Sequence, residues 1–224
     1  MIDNSKIQKK AIMQQLLTGK KRLPNFVSKW NNVSISEMGV CISGGTPKSD
    51  RKEYWGGDLL WATPTDITGL KSKYISQTSR KITKEGLLSS SAKVLPIGSL
   101  IICTRATIGH MAIAKVPIAT NQGFKNLTPG PNFHAEFLFH LFTFFKNKFV
   151  RYACGSTFLE LSKKDFQKLC FNVPLLDEQK AIAAVLDRHD EFTEKLKQNY
   201  DRLSSEKVAL LRQLLTGKRL VEIG

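Results

Sequence analysis

Apolar residues recur at helical spacing near both ends of this chain. Near the start, residues 4–18 predict a short amphipathic helix that ends at Gly19. Near the end, residues 177–216 continue a periodic pattern without glycine or proline, which predicts one helix with a rise on the order of 60 Å. The hexapeptide Gln-Leu-Leu-Thr-Gly-Lys ends both patterns, at residues 15–20 and 213–218. The chain therefore repeats a helix terminus on either side of a segment that is not repeated.

The long C-terminal helix carries an apolar seam at heptad spacing, which is typical of a coiled coil. The residues predicted to form this interface are Ile182, Val185, His189, Phe192, Leu196, Tyr200, Leu203, Leu210 and Leu214. The alternative is that the helix packs only on its own domain. Its length favours a partner helix, because a core of about 150 residues has a radius of gyration of roughly 15 Å and cannot cover the whole seam.

Short apolar runs separated by Gly, Pro, Asn and Thr occupy the segment between the helices and predict β-strands. The runs are residues 40–43, 59–62, 94–95, 100–104 and 111–116. They do not alternate with helical patterns, which argues against a doubly wound parallel sheet. Helical spacing returns over residues 134–152 and again over 162–168, where Ser162 is the expected N-cap, and a turn is expected at residues 155–157.

The predicted fold class is therefore α+β. We expect one globular domain, residues 24–175, with a mixed or antiparallel sheet and flanking helices. A short N-terminal helical segment, residues 1–23, precedes it. A long coiled-coil helix and a tail, residues 176–224, follow it.

Charge is distributed unevenly along the chain. The net charge is +15, from 34 Lys and Arg against 19 Asp and Glu. Residues 24–176 carry 19 basic and 9 acidic side chains, whereas residues 177–219 carry 9 and 8. A basic globular part beside a charge-balanced helix indicates a polyanionic partner for the first and a protein partner for the second. The alternative is that the positive charge only maintains solubility.

Cysteine usage and hydropathy indicate a cytoplasmic protein. Cys41, Cys103, Cys154 and Cys170 show neither a CxxC pair nor histidine at metal-ligand spacing, so we expect reduced thiols and no metal site. No apolar stretch approaches the roughly 20 residues that a membrane-spanning helix needs.

Motifs that would indicate catalysis are missing from the sequence. The glycines Gly39, Gly44 and Gly45 lack the Gly-Lys-Ser/Thr ending of a phosphate-binding loop. The four histidines show no HExxH spacing, and the globular part has no paired carboxylates. We therefore expect no catalytic residue and no cofactor, with an enzyme of unfamiliar design as the remote alternative.

Polar loops rich in basic residues are the strongest candidate binding elements. Lys and Arg side chains neutralise phosphates, and Arg, Asn and Gln read base edges. The candidate DNA-binding residues are Thr46, Lys48, Arg51, Lys52, Tyr54, Lys71, Lys73, Tyr74, Arg80, Lys81, Arg105, Asn121, Gln122 and Lys125. The alternative for any one of them is a solvated surface side chain, and Trp55 and Trp61 are better explained as core or loop anchors than as base-stacking groups.

Several short motifs in this order resemble the specificity subunits of type I restriction-modification systems. The motifs are Gly44-Gly45-Thr46-Pro47, Tyr54-Trp55 to Gly57, Trp61 to Asp66, Ile108-Gly109, Asn121-Gln122-Gly123, Gly155-Ser156-Thr157-Phe158, Pro174 with Glu178-Gln179 and Ile182, and both Leu-Leu-Thr-Gly-Lys copies. Each motif is weak alone, but their order and spacing are specific. The similarity spans essentially the whole chain.

The resemblance implies one target recognition domain followed by a spacer helix, in a protein that reads double-stranded DNA and has no catalytic activity of its own. Family members usually carry two recognition domains and two spacer helices, so this chain is similar to a half-subunit. The resemblance therefore implies a homodimer through antiparallel spacer helices, which would bind an inverted repeat with a gap. It also implies modification subunits, which supply S-adenosylmethionine, and through them restriction and translocase subunits.

Two further alternatives remain open at this point. One is an orphan recognition domain, such as a silent cassette, that assembles with no partner. The other is a basic interaction protein whose DNA binding is weak at every sequence and is lost at modest salt.

Overall fold

The computed structural model describes residues 2–153 and 159–216. Within these ranges the helices are α1 (Ile2–Leu16), α2 (Ile35–Met38), α3 (Pro64–Thr68), α4 (Lys84–Leu88), α5 (Ala135–Phe144), α6 (Lys146–Arg151), α7 (Lys163–Lys168) and α8 (Leu176–Leu215), with a 3₁₀ turn at Lys52–Tyr54. The strands are β1 (Asn31–Ser34), β2 (Gly39–Ser43), β3 (Trp55–Ala62), β4 (Tyr74–Ile75), β5 (Arg80–Ile82), β6 (Leu100–Cys103), β7 (Met111–Ala114), β8 (Ala119–Thr120), β9 (Phe124–Pro129) and β10 (Cys170–Val173).

The chain folds into two units. The larger, globular unit comprises Gln14–Ala183, and the smaller, helical unit combines the residues up to Met13 with those from Ala184 onward. In the helical unit α1 packs beside α8, because the Ser5 and Thr193 hydroxyls share a hydrogen bond of 2.6 Å and Lys9 Nζ lies 2.5 Å from a carboxylate oxygen of Asp190.

Within residues 2–153 and 159–216, three sheets build the globular unit. The five-stranded sheet has the order β2-β9-β6-β7-β4, the three-stranded sheet has the order β5-β3-β8, and β1 pairs with β10. Most pairs are antiparallel, whereas β3–β8 and β4–β7 are parallel. Since β8 leads directly into β9, one short loop joins the two larger sheets.

The core of the globular unit forms around each sheet and beneath the helices. Apolar side chains of β6, β7 and β9 belong to one cluster, and Trp61, Ile82, Ala92 and Ala119 form another at the three-stranded sheet. Between α5, α6, α7 and β10, the Phe149 ring lies 5.5 Å from Phe142, 6.2 Å from Phe166 and 6.0 Å from Phe171, measured between centroids. All four rings are at most 3% exposed.

Buried polar residues hold the first turns of α8 in the globular unit. Glu178 is 2% exposed and accepts hydrogen bonds from Arg22 Nε and Nη2, both at 2.6 Å. This hydrogen bond to the Glu178 carboxylate raises the pKa of Arg22. Gln179 Nε2 donates to the carbonyls of Asn132 and Pro174, and its Oε1 accepts from the His134 amide. The start of α8 is therefore fixed by side chains that the globular unit surrounds.

The predicted α+β class with a mixed sheet and a long C-terminal helix is confirmed. The short N-terminal helix is present, and Gly19 adopts the left-handed conformation (φ 69°) after its last turn. The helix at residues 162–168 is also confirmed, since the Ser162 hydroxyl accepts a hydrogen bond from the Asp165 amide. The predicted turn at residues 155–157 and the glycine of the second hexapeptide lie outside the described residues.

Other predicted elements differ from the structure. The run at residues 94–95 forms only a single bridge, Leu95 to Ile118. The chain turns directly after this bridge, where Ser99 N donates to Pro96 O at 3.2 Å. The helix expected over residues 134–152 is interrupted at Phe145 (φ −92°, ψ 23°) and becomes α5 and α6. The predicted domain boundaries stay predictions.

Replacing Phe149 with Ala is expected to lower the free energy of unfolding by about 3–5 kcal/mol, because it leaves a cavity among three aromatic rings. Urea-induced unfolding followed by circular dichroism measures the change. Val150→Ala is the matched control at the next position, where the side chain is 39% exposed, and it should cost about 0.5 kcal/mol or less. Equal losses in the two variants would contradict this description of the core.

Candidate nucleic-acid interface

A close backbone crossing brings two distant candidate residues together. After β2, Gly44 N donates to Phe124 O at 3.3 Å and Gly45 N donates to Thr120 O at 2.9 Å. A Cβ at Gly44 would lie only 1.7 Å from Asn121 O, so the crossing requires glycine at this position. These bonds place β2 and its following loop directly against the β8–β9 loop.

The Thr46 and Gln122 side chains meet above this crossing. The Thr46 hydroxyl donates a hydrogen bond to Gln122 Oε1, although 76 positions separate the two residues in the chain. Both side chains are exposed, and Gln122 keeps its amide NH₂ as a donor. Asn121 has a different position: its Oδ1 accepts from Gly123 N at 2.9 Å, and this bond holds the loop that presents Gln122. We call the side chains of Thr46, Asn121 and Gln122 the loop junction.

Two candidate cations beside the β8–β9 loop are paired with one carboxylate. Arg105 Nη2 lies 2.9 Å from Glu160 Oε2, and Lys125 Nζ lies 3.5 Å from Glu160 Oε1. The Lys125 side chain is only 9% exposed, and Arg105 and Glu160 also form an isolated backbone bridge. Glu160 therefore lowers the local positive charge at Arg105 and Lys125. The sequence did not indicate this role, because Glu160 is far from both partners along the chain.

A second group of contacts stacks one arginine on two indoles. The Arg80 guanidinium lies over the Trp55 ring at 3.7 Å and over the Trp61 ring at 5.2 Å, from Cζ to centroid. The two indoles meet edge to face at 5.0 Å. Trp61 Nε1 donates to Gly45 O and Trp55 Nε1 donates to Lys48 O, at 2.9 Å and 3.2 Å. We call Trp55, Trp61 and Arg80 the tryptophan–arginine stack, and its indoles anchor the loop that follows the glycine crossing.

Asp66 connects the start of α3 to the residue before Arg80. Its Oδ2 accepts from the amide and hydroxyl of Thr63, both at 2.7 Å, and its Oδ1 accepts from the Ser79 amide at 2.9 Å. Burial raises the pKa of Asp66, but the hydrogen bonds from Ser79 and Thr63 together outweigh burial and hold it below its usual value. The carboxylate form therefore stabilises the turn that leads into β5.

The remaining candidates lie elsewhere on the globular unit. Tyr74 is on β4, at the opposite edge of the five-stranded sheet from β2, and its hydroxyl donates to Glu136 Oε1 at 2.9 Å. Lys115 Nζ lies 4.6 Å and Lys73 Nζ 5.2 Å from the centre of its ring. Lys48, Lys52, Lys71 and Lys81 are exposed, Arg51 lies 3.6 Å from Glu53 between charged atoms, and Tyr54 is half-buried against the backbone of Gly86.

The candidate interface residues of α8 change from buried to exposed along the helix. Ile182 is 1% exposed, His189 and Leu196 are half-buried, and every residue from Asn199 to Thr216 is exposed. Large apolar side chains are exposed along α8 from Val185 onward. Their exposed fractions are Val185 37%, Phe192 56%, Tyr200 63%, Leu203 56%, Leu210 43% and Leu214 39%. Over residues 2–153 and 159–216, every helix is either too short or too polar to cross a membrane.

The fold and these loops define a basic α+β domain that continues into a long helix, and solved type I restriction-modification subunits have the same fold. The HsdS subunit from Thermoanaerobacter tengcongensis is 20% identical with a TM-score of 0.67, over 95% of this chain and 50% of that chain. The S subunit from M. genitalium is 13% identical with a TM-score of 0.63, over all of this chain and 56% of that chain.

Residues 27–204 match the family model of the type I restriction modification DNA specificity domain, and the chain belongs to that family. The specificity subunit of the type I restriction enzyme MjaIX from Methanocaldococcus jannaschii is 37% identical over 183 residues, which are 81% of this chain and 42% of that protein. The EcoR124I/EcoR124II specificity subunit from Escherichia coli is 27% identical, over 75% of this chain and 43% of that protein. The chain thus spans less than half the length of these relatives. The family predicted from the motifs is confirmed.

Replacing Gly44 with Ala is expected to lower the free energy of unfolding by about 1–3 kcal/mol, because the new methyl group clashes with the Asn121 carbonyl and separates the two loops. Urea-induced unfolding measures the loss. Gly69→Ala is the matched control, since its Cβ would lie 3.4 Å from Thr65 O in an ordinary helical conformation, and about 0.5 kcal/mol or less is expected there. If Gly44→Ala proved as stable as the control, the crossing would not depend on glycine.

Replacing Asp66 with Asn should destabilise the protein by about 1–2 kcal/mol at pH 7, because neutral amide oxygens accept weaker hydrogen bonds than a carboxylate. Because folding lowers the pKa of Asp66, its ionised carboxylate stabilises the fold at pH values above the unfolded-state pKa of about 4. This stabilisation is lost as the pH falls through the pKa that Asp66 has in the folded state. The difference in free energy of unfolding between the wild type and Asp66→Asn should therefore shrink toward pH 3. Unfolding curves at pH 7, 5 and 3 measure it, with the exposed Asp58→Asn as control. A difference that does not vary with pH would contradict this role.

Proposed function

We propose that this chain is a half-length DNA sequence-specificity subunit of a type I restriction-modification complex, and that each copy binds one half-site of double-stranded DNA. The observation that carries the proposal is the convergence of polar loops from distant parts of a basic domain of this family. The loop junction and the tryptophan–arginine stack both contact the segment between Gly45 and Lys48. A continuous polar surface of this kind can contact successive groups along one groove.

Charge supports binding to a polyanion. The globular segment of residues 24–176 has 19 basic and 9 acidic side chains, and its exposed cations include Lys48, Lys52, Lys71 and Lys81. Lysines on mobile stems neutralise phosphates without reading sequence. The binding constant is therefore expected to fall steeply with salt. In this proposal Gln122 supplies hydrogen-bond donors for base edges, and Asn121 holds the loop that presents Gln122. Glu160 partly neutralises Arg105 and Lys125 and so limits their attraction to phosphates.

The exposed apolar side chains of α8 support pairing with a second helix. Leu203 and Leu210 belong to the heptad line, and neighbouring charges on α8 are balanced. Two copies related by a two-fold axis would pair their α8 helices antiparallel through the same surface on each chain. Two recognition domains would then face two half-sites of an inverted repeat, with a gap set by the helix length.

The proposed partners are modification subunits and, through them, restriction and translocase subunits. Those subunits would supply S-adenosylmethionine, base flipping and cleavage, so this chain would contribute recognition and no catalytic group. The proposed location is the cytoplasm. Burial raises the pKa of the Cys41 and Cys103 thiols to about 11, so both stay protonated in the reduced state that this compartment maintains.

Mass and DNA selection together test the proposal. Light scattering across concentration should give about twice the chain mass of 25.2 kDa. Selection from a library of randomised duplexes should enrich an inverted repeat with a constant gap. A strict monomer that enriches a single half-site would favour an orphan recognition domain. A protein that enriches no sequence and loses binding at modest salt would be a basic interaction protein instead.

Replacing both Leu203 and Leu210 with Asp should convert the dimer to a monomer, because each charge would have to be buried in the apolar seam. Light scattering should give half the wild-type mass, while circular dichroism shows that the globular unit stays folded. Binding to the full inverted repeat should weaken at least tenfold, and binding to an isolated half-site should not change.

Gln198→Asp is the matched control for the seam variant, because it places a new charge on the same exposed helix outside the predicted interface. This control should remain dimeric. A dimer that survives both leucine substitutions would show that the chains pair through another surface.

A further inference from the structure

We infer that Arg80 is a specificity-determining residue that reads the paired acceptors of a guanine in the major groove, with Trp55 and Trp61 as its positioning residues. The inference rests on the proposed function, because it assumes that this domain binds DNA. It goes further by assigning one base contact to one side chain. Three observations carry it: the stack, its anchoring and the unoccupied donors of the guanidinium.

The stack fixes the plane of the Arg80 guanidinium. Trp55 lies 3.7 Å below it, which is direct face contact, and the nearly perpendicular Trp61 ring (82°) closes a second side. Cation–π contacts of this kind are stronger where the cation and the ring are shielded from water. Trp61 is 2% exposed, and the half-buried Trp55 ring packs against the same apolar cluster, so neither ring is a free surface side chain.

Backbone contacts anchor the stack on both sides. Arg80 lies directly opposite Trp61 in the β3–β5 ladder, and the Thr78 hydroxyl, which accepts from Trp61 N at 3.3 Å, donates to Arg80 O at 2.6 Å. The Asp66 bond to Ser79 fixes the preceding residue. The two indole N–H groups tie the same stack to the loop that contains Thr46. Arg80 is therefore held in register with the loop junction.

The hydrogen-bond donors of Arg80 are available to a ligand. The residue is exposed, and among the described residues it forms no ion pair, whereas Arg105 is paired with Glu160 and Arg51 with Glu53. Stacking occupies the faces of the guanidinium and leaves the donors along its edge free. Stacking therefore does not compete with a hydrogen-bonding ligand that approaches in the plane of the group.

A fixed plane favours a planar pair of acceptors over a phosphate. An arginine fork also fits a phosphate, but the exposed lysines can neutralise phosphates as point charges, without a fixed plane. Guanine O6 and N7 are two acceptors in one plane, and an arginine contacts both only when its own plane is aligned with theirs. The rotational freedom that Arg80 loses in the stack therefore matters most for a base edge.

Competitive selection from randomised duplexes tests this inference with the full-length chain. The wild type should enrich a motif with a guanine at one position of each half-site. Arg80→Lys keeps the charge and loses the planar pair of donors, so it should lose the preference for that guanine about tenfold or more and keep the rest of the motif. Trp55→Leu should weaken the same preference with Arg80 intact. Arg202→Lys, on exposed α8 beside Glu206, is the matched control and should leave the motif unchanged.

Direct titration completes the test. The dissociation constant for the duplex with that guanine replaced, divided by the constant for the selected duplex, should be large for the wild type. The same ratio should be close to one for Arg80→Lys. A uniform loss of affinity with an unchanged ratio would make Arg80 a phosphate contact and overturn the inference, as would no change at all. In both cases the proposed function would stand. If the wild type enriches no motif, the proposed function fails and the inference fails with it.

Discussion

The backbone crossing at Gly44 and Gly45 is the constraint on which the rest of the globular unit depends. Their amides bond to the carbonyls of Phe124 and Thr120, which belong to different sheets. A side chain at Gly44 would overlap the Asn121 carbonyl, so this approach of the two sheets requires a residue without a Cβ. The loop beyond the crossing then runs beside the β8–β9 loop and receives the Trp61 indole N–H.

Rigid and mobile cations have different roles in this arrangement. Arg80 is immobilised by aromatic faces, and Arg105 and Lys125 are held by Glu160, whereas several lysines extend into solvent. A cation held in one position suits a hydrogen bond to a base edge, which requires a defined geometry. A mobile lysine suits the long-range attraction to phosphates, which salt screens. Within the proposed function, one domain thus combines sequence reading with general attraction to DNA.

The first turns of the long helix belong to the globular unit. Glu178 and Gln179 are buried there, and their side chains satisfy Arg22, the His134 amide and two carbonyls. Removing the Gln179 side chain would leave the buried Pro174 carbonyl without this donor, which is costly in a low-dielectric interior. Farther along, α8 presents large apolar side chains to solvent, which is the usual property of a surface that pairs with another chain.

Local patterns along the sequence predicted much of this protein. Heptad spacing and the lack of glycine or proline predicted α8, and the Ser162 cap predicted α7. Apolar runs predicted β2, β3, β6 and β7. Each of these patterns depends on residues only a few positions apart in the chain. The motif order also identified the family. These features could be predicted because their physical cause is local.

Only the tertiary structure decided which candidate side chains meet. β9 was missed because Lys125 and Asn126 interrupt its apolar pattern, although the strand is paired on both sides. Three kinds of contact join residues that are far apart in sequence: the hydrogen bond of Thr46 to Gln122, the ion pairs of Glu160 and the stacking of Arg80. No local pattern encodes these contacts, since they follow from sheet register and loop crossing. The sequence by itself thus determined α1, α7, α8, several strands and the family, and the fold determined which candidate residues lie together.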